Sequence, residues 1–198
     1  MAGVLFAQSY FDGDEPAEAE IRALADSLYR RVEWPYFDRD ERGITMAWRP
    51  EPDRLFGPGR WRGYDESMIL HVLGLGSPTH PLDPSVWERY TRTYQWREFY
   101  GYAHLNFAPL FGHQYSHVWI DFRGIRDAFM REKGSDYFEN SRRATLAQRA
   151  YAMDNPGGWA EYGPDVWGLT ASDGPGPLEA VIGGVPRSFR PYWARGAA

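Results

Sequence analysis

The sequence predicts a mainly α-helical protein, built of helical hairpins joined by long aromatic and glycine-rich loops, with no more than a short β-hairpin. Three observations carry that prediction. Apolar residues recur at helical spacing in several separate stretches, proline and glycine fall where helices start and stop, and alternating strand patterns are scarce. The composition suits a packed chain: 43% of the 198 residues are hydrophobic and 25% charged, which excludes disorder.

The elements follow in order. Met1 to Phe11 reads as the end of an apolar helix whose beginning is missing, because Val4, Leu5, Phe6 and Ala7 follow no capping residue. Asp12-Gly-Asp-Glu-Pro16 stops it and opens a second helix, in which Ile21, Leu24, Ala25, Leu28 and Val32 keep the 3.6-residue period. Residues 33–62 are a loop rich in Pro and Gly, where Ile44-Thr-Met-Ala-Trp48 alternates as half of a small hairpin. Asp65 to Leu75 is a short apolar helix stopped by Gly76-Ser-Pro, and Asp83-Pro84 opens another that runs through Trp96. Arg97 to Pro109 reads as a connector. Leu110 to Glu132 has helical periodicity through Tyr115, Val118, Trp119, Phe122, Ile125 and Phe129, and Tyr137 to Met153 is a further helix capped by Asp136. Asn155 to Gly176 is loop. The total is about six helices, and no repeat recurs at fixed spacing.

Composition also narrows the function. A net charge of −5 offers no broad positive field for phosphates, so nucleic acid is not an expected partner. The absence of Cys removes disulfides, thiolate zinc sites and a cysteine nucleophile. No apolar run reaches the ~18 residues of a membrane span, and Met1 to Phe11 lacks the basic start and cleavage site of a signal peptide. The chain as written is therefore expected to be cytoplasmic, with no membrane partner. Nine Trp, 13 Tyr and 11 Phe fill cores well, and they also offer flat faces that stack on sugar rings.

Three constellations bear chemistry. In Trp61-Arg-Gly-Tyr-Asp65-Glu66-Ser67 two adjacent carboxylates and two aromatics meet where a loop enters a helix. On one reading Asp65 caps that helix with Glu66 solvated; on the other, Glu66, desolvated beside Trp61 and Tyr64, protonates a glycosidic oxygen. In Gly112-His113-Gln-Tyr-Ser-His117-Val-Trp-Ile-Asp121 the spacing puts His113, His117 and Asp121 along one helix face. A row of three along a helix suits a polar stripe or a hydrogen-bonded network better than a metal ion, so neither metal nor other cofactor is expected. Trp167-Gly-Leu-Thr-Ala-Ser-Asp173-Gly-Pro holds one Trp and one acid among turn-forming residues, and Asp173-Gly174 serves equally as a plain turn. Nucleotide-binding glycine loops are not matched.

Taken together with Gln8-Ser-Tyr-Phe-Asp-Gly13, Gly76-Ser-Pro-Thr-His-Pro81 and Tyr137-Phe-Glu-Asn-Ser-Arg142, these motifs resemble one family over nearly all of Gln8 to Pro175. It is the glycoamylase-like family, related to bacterial endo-β-1,2-glucanases and to domains of cyclic β-1,2-glucan synthases. The resemblance implies a partial (α/α)6 barrel with a pocket at one end, and an endo-acting glycoside hydrolase that cleaves β-1,2-glucan by two-carboxylate acid/base catalysis. It makes Glu66 the candidate general acid, and Trp61, Tyr64, Asp65, His113, Gln114, Trp167 and Asp173 candidate substrate-binding residues. The expected partner is a β-glucan or its oligosaccharides, and the family's expected place is periplasmic or secreted. On this reading residues 1–176 are the central part of the domain, and 177–198 a divergent, irregular tail. Family segments are missing at both ends, so the isolated chain is expected to be inactive, at most an oligosaccharide-binding remnant.

Overall fold

The computed structural model describes residues 1–51 and 56–194. It is helical with small two-stranded sheets, and it divides into two compact units.

The first unit comprises Met1–Tyr94 with Val118–Ile120. Its α1 (Ala2–Tyr10) and α2 (Pro16–Arg30) form a hairpin, tied at the bend by Arg22, whose Nη1 donates to Phe11 O at 2.6 Å and Gly13 O at 2.9 Å. Pro16 sits at the start of α2, where its missing N–H costs nothing. A short 3₁₀ turn over Trp34–Phe37 leads to two loosely paired arms, bridged at Thr45–Arg60 and Trp48–Phe56, which bear out the small hairpin expected around Ile44–Trp48. Next come α3 (Met68–Leu75) and α4 (Ser85–Thr91). The core is Trp34, Ile44, Leu82 and Val86, with Tyr29, Phe37, Trp61 and Leu70 packed around it. Gly74 is required in α3, since a Cβ there would meet the Leu82 side chain at 2.4 Å.

The second unit comprises Gln95–His117 and the chain from Asp121 onward. The helix expected to run through Trp96 stops at Thr91, because Trp96–Phe99 is β1, paired antiparallel with β2 (Tyr102–Leu105). Tyr100 and Gly101, at φ 48° and 77°, make the two-residue hairpin turn whose twist suits such strands. The long helix expected over Leu110–Glu132 is likewise absent. In its place stand 3₁₀ turns at Leu110–His113 and Tyr115–Val118, an irregular stretch with Gly124 at φ 73°, and α5 (Ala128–Glu132), started afresh by the Asp127 cap on Met130 N at 2.8 Å. The apolar spacing was helical, but buried polar residues and a left-handed glycine interrupt the backbone pattern.

The longest helix, α6 (Tyr137–Asp154), has the expected cap: Asp136 Oδ1 accepts from Glu139 N at 2.7 Å. It packs on β2 and on the Leu110–His113 turn, where Asn140 accepts from Leu105 N at 2.7 Å and Gln148 donates to Ala108 O at 2.8 Å. Beyond it, β3 (Ala171–Asp173) pairs with β6 (Tyr192–Ala194), and β4 (Leu178–Ile182) pairs with β5 (Val185–Phe189). The segment from Pro177, expected to be irregular, is therefore largely strand. Gly183-Gly184, both at positive φ, is the turn of the β4–β5 hairpin.

Candidate active site

In the first unit the Trp61–Ser67 segment is a turn that precedes α3. Gly63, at φ 80°, lets the chain swing in, and its N–H donates to Thr93 Oγ1 at 2.6 Å. Tyr64 and Asp65 then go inside, 2% and 6% exposed. The Tyr64 ring meets Tyr94 edge-on, and Tyr94 in turn meets Tyr90. One oxygen of Asp65, Oδ1, accepts three hydrogen bonds: from Ser67 N at 2.9 Å, Ser67 Oγ at 2.5 Å and Tyr90 Oη at 3.1 Å. Burial pushes the Asp65 carboxyl up to about 6, against the pull of those donors. Tyr90 stacks on His71, centroids 3.9 Å apart, and burial holds His71 down to about 4, so its ring is neutral.

Of the residues expected here to face substrate, Tyr64 and Asp65 instead form the support of the turn. Glu66 is half-buried at the turn itself, two residues before α3 rather than in its first turn. Trp61 is half-buried and walls an apolar cavity of about 300 Å³ together with Trp34, Phe37, Met46, Trp48 and Leu70.

In the second unit the proposed histidine row is not a helix face. His113 closes one 3₁₀ turn, His117 lies in the next, and Asp121 stands outside any helix, exposed and paired with Arg123 at 3.0 Å. His113, 1% exposed, hydrogen-bonds Phe107 O through Nε2 at 3.0 Å; burial, with His104 and His117 adding to it, pushes it down to about 3. It is a core histidine, whereas Gln114 beside it is exposed. The His117 ring shares a 3.0 Å hydrogen bond with Ser141 Oγ. Among the described residues no group of three or more His, Asp or Glu could hold a metal ion.

Trp167 is exposed. Asp173, also exposed, ends β3 and lines a polar cavity of about 330 Å³ with Tyr162, Thr170, Ser172, Phe189 and Arg190. Arg190 and Phe189 were missed because the segment was read as an irregular tail. The signal was there: Gly183-Gly184, with Val181-Ile182 before it and Val185 after it, is a two-residue hairpin turn pattern.

The described residues thus hold one cavity walled by aromatic rings and another lined by an acid, an arginine and hydroxyls. The chain belongs to the glycoamylase family, described as "Putative glucoamylase", which matches residues 58–198. It is 28% identical over 197 residues to an exo β-1,2-glucooligosaccharide sophorohydrolase (non-reducing end) of Parabacteroides distasonis, covering 86% of this chain and 27% of that protein. Among solved structures, a "putative glucoamylase" of Bacteroides uniformis is 32% identical with a TM-score of 0.74, over 96% of this chain and 45% of that one. An endo-β-1,2-glucanase of Chitinophaga pinensis, in complex with sophorotriose and glucose, is 27% identical with a TM-score of 0.73, over 87% and 43%. The chain thus spans less than half the length of each.

Proposed function

We propose that these residues belong to an (α/α)6-barrel hydrolase of β-1,2-glucan in which Glu66 is the general acid. The carrying observation is local: Glu66 is held half-buried on a turn whose flanking residues, Asp65 and Ser67, are locked inside the fold, while Trp61 of the same segment walls an aromatic cavity. The names of the relatives support the linkage, since two of them act on β-1,2-linked glucose. In the proposed reaction Glu66 protonates the departing glycosidic oxygen as the anomeric carbon takes on oxocarbenium character. A second carboxylate then either activates water across the bond, at roughly 6.5–9.5 Å from Glu66, or attacks the sugar itself at roughly 5 Å. Trp167 and Asp173 bind glucosyl units by stacking and by accepting from hydroxyls.

Endo action is the form we propose, and its products, a ladder of short oligosaccharides from linear β-1,2-glucan, differ from the sophorose alone that an exo enzyme would release. The decisive variant is Glu66→Gln. It should lower kcat by about a hundredfold or more with KM little changed, as loss of a general acid does. An undiminished kcat would remove Glu66 from the chemistry. A second reading is a chain that binds oligosaccharide without cleaving it, through the exposed Trp167 and Asp173. Binding of sophorotriose with no release of reducing ends would establish it.

A further inference from the structure

Asp65 has a carboxylate that the proposed chemistry does not use, and it is too deeply buried to meet a sugar. All three of its hydrogen bonds fall on a single oxygen. Two of them close the Asp65–Glu66–Ser67 turn on itself, and the third ties that turn to α4 through Tyr90. The Tyr90 hydroxyl also lies 3.4 Å from Asp65 N and from Ser67 Oγ, so that backbone and side chains of the turn converge on one phenol. Tyr90 is itself fixed, 3% exposed and stacked on His71, and His71 Nδ1 lies 2.9 Å from Ser67 O, which closes the ring of contacts from α3. Glu66, half-buried, stands between the two buried residues of this turn.

We propose that Asp65 is a positioning residue: through Oδ1, Ser67 and Tyr90 it fixes the turn that carries Glu66, and so sets where the Glu66 carboxyl is held. The inference rests on the reading of Glu66 as the acid. It makes a distinctive chemical demand. Only an acceptor oxygen is required of residue 65, not a charge or a proton, so an amide should serve where a methyl group cannot.

The test compares Asp65→Ala, Asp65→Asn, Tyr90→Phe and Glu66→Gln. One arm reads amide hydrogen exchange at Ser67 by NMR on the 198-residue chain, whether or not glucan is cleaved. Exchange should be about tenfold or more faster in Asp65→Ala, faster to a smaller degree in Tyr90→Phe, and close to the parent in Asp65→Asn. The other arm reads kcat and KM on linear β-1,2-glucan. Asp65→Ala should lose about a hundredfold in kcat with KM within about threefold, and Asp65→Asn should recover most of that loss. Equal protection of Ser67 in the alanine variant overturns the proposal. So does an asparagine variant that keeps Ser67 protected yet is as slow as Glu66→Gln, for Asp65 would then act by its charge. If Asp65→Ala does not fold, Tyr90→Phe against Asp65→Asn decides the same point. Full turnover in Glu66→Gln would dismiss the acid assignment alone, leaving the exchange arm to judge the hold of Asp65 on the turn.

Discussion

Single titratable residues set how each unit answers to pH. Asp65 has a folded-state value raised to about 6 from 3.8, so its contribution is fully present below 3.8 and is lost as pH rises through 6, about 3 kcal/mol in all. His71, in the same unit, runs the other way: lowered to about 4, its contribution is complete above 6.5 and is lost as pH falls towards 4. The two nearly offset each other between pH 6.5 and 4. The second unit has no such compensation at His113, whose value of about 3 removes about 3 kcal/mol by pH 4. His104, also lowered by burial, acts in the same direction. Acidification from pH 7 to 4 should therefore weaken the second unit first, and His113→Gln should flatten its acid limb. Amide exchange resolved by residue at the two pH values checks this, and earlier loss of protection around Asp65 would refute it.

At the scale of elements, capping and close approach decide most. Asp136→Ala removes the acceptor for Glu139 N and a 3.3 Å bond from Gly124 N, and should cost about 1 kcal/mol, read as a lower midpoint of denaturant unfolding. Gly174 lies against the β3–β6 pair, where a Cβ would meet Arg190 O at 2.1 Å. Backbone cannot yield as a flexible side chain does, so Gly174→Ala should open that pair and the cavity lined by Asp173 and Arg190, at a cost of about 1–3 kcal/mol. Unchanged β3–β6 contacts in the NMR spectrum of the variant would contradict this. The elements legible in the sequence were those with local signals: α1, α2, α3 and α6, each with a clear apolar run, proline start or acidic cap. The Leu110–Glu132 stretch misled because its apolar spacing is helical, whereas its backbone follows contacts that spacing does not show, the local one of His113 with Phe107 and the distant one of His117 with Ser141. The β1–β2 and β4–β5 hairpins had turn signals, at Tyr100-Gly101 and Gly183-Gly184, that were passed over beside stronger helical ones.

For the molecule as a whole, family membership was legible because several separate motifs agree, and each by itself was ambiguous. Roles within those motifs were less so. The family resemblance put Tyr64, Asp65 and His113 beside substrate, yet all three are buried here, since a sequence shows which side chains are polar but not which are turned inward. The apolar surface bears on behaviour in solution: Phe6, Tyr10, Leu24 and Leu28 on α1 and α2 are 47–67% exposed, and Val181 at the tip of β4 is 70% exposed. Exposed apolar area of this kind promotes association, so the 198-residue chain should self-associate in a concentration-dependent way, which sedimentation velocity would register. Charged substitutions at Leu24 and Leu28 should return it towards the monomer.

Titration of the chain with sophorotriose and, separately, with maltotriose, followed by NMR, tests the assignment to β-1,2-glucan most directly. The β-1,2-linked sugar should shift Trp61 and Glu66 in the first unit and Trp167 and Asp173 in the second, while the α-1,4-linked sugar leaves them in place. Resonances that ignore sophorotriose, or that move equally for maltotriose, would contradict it.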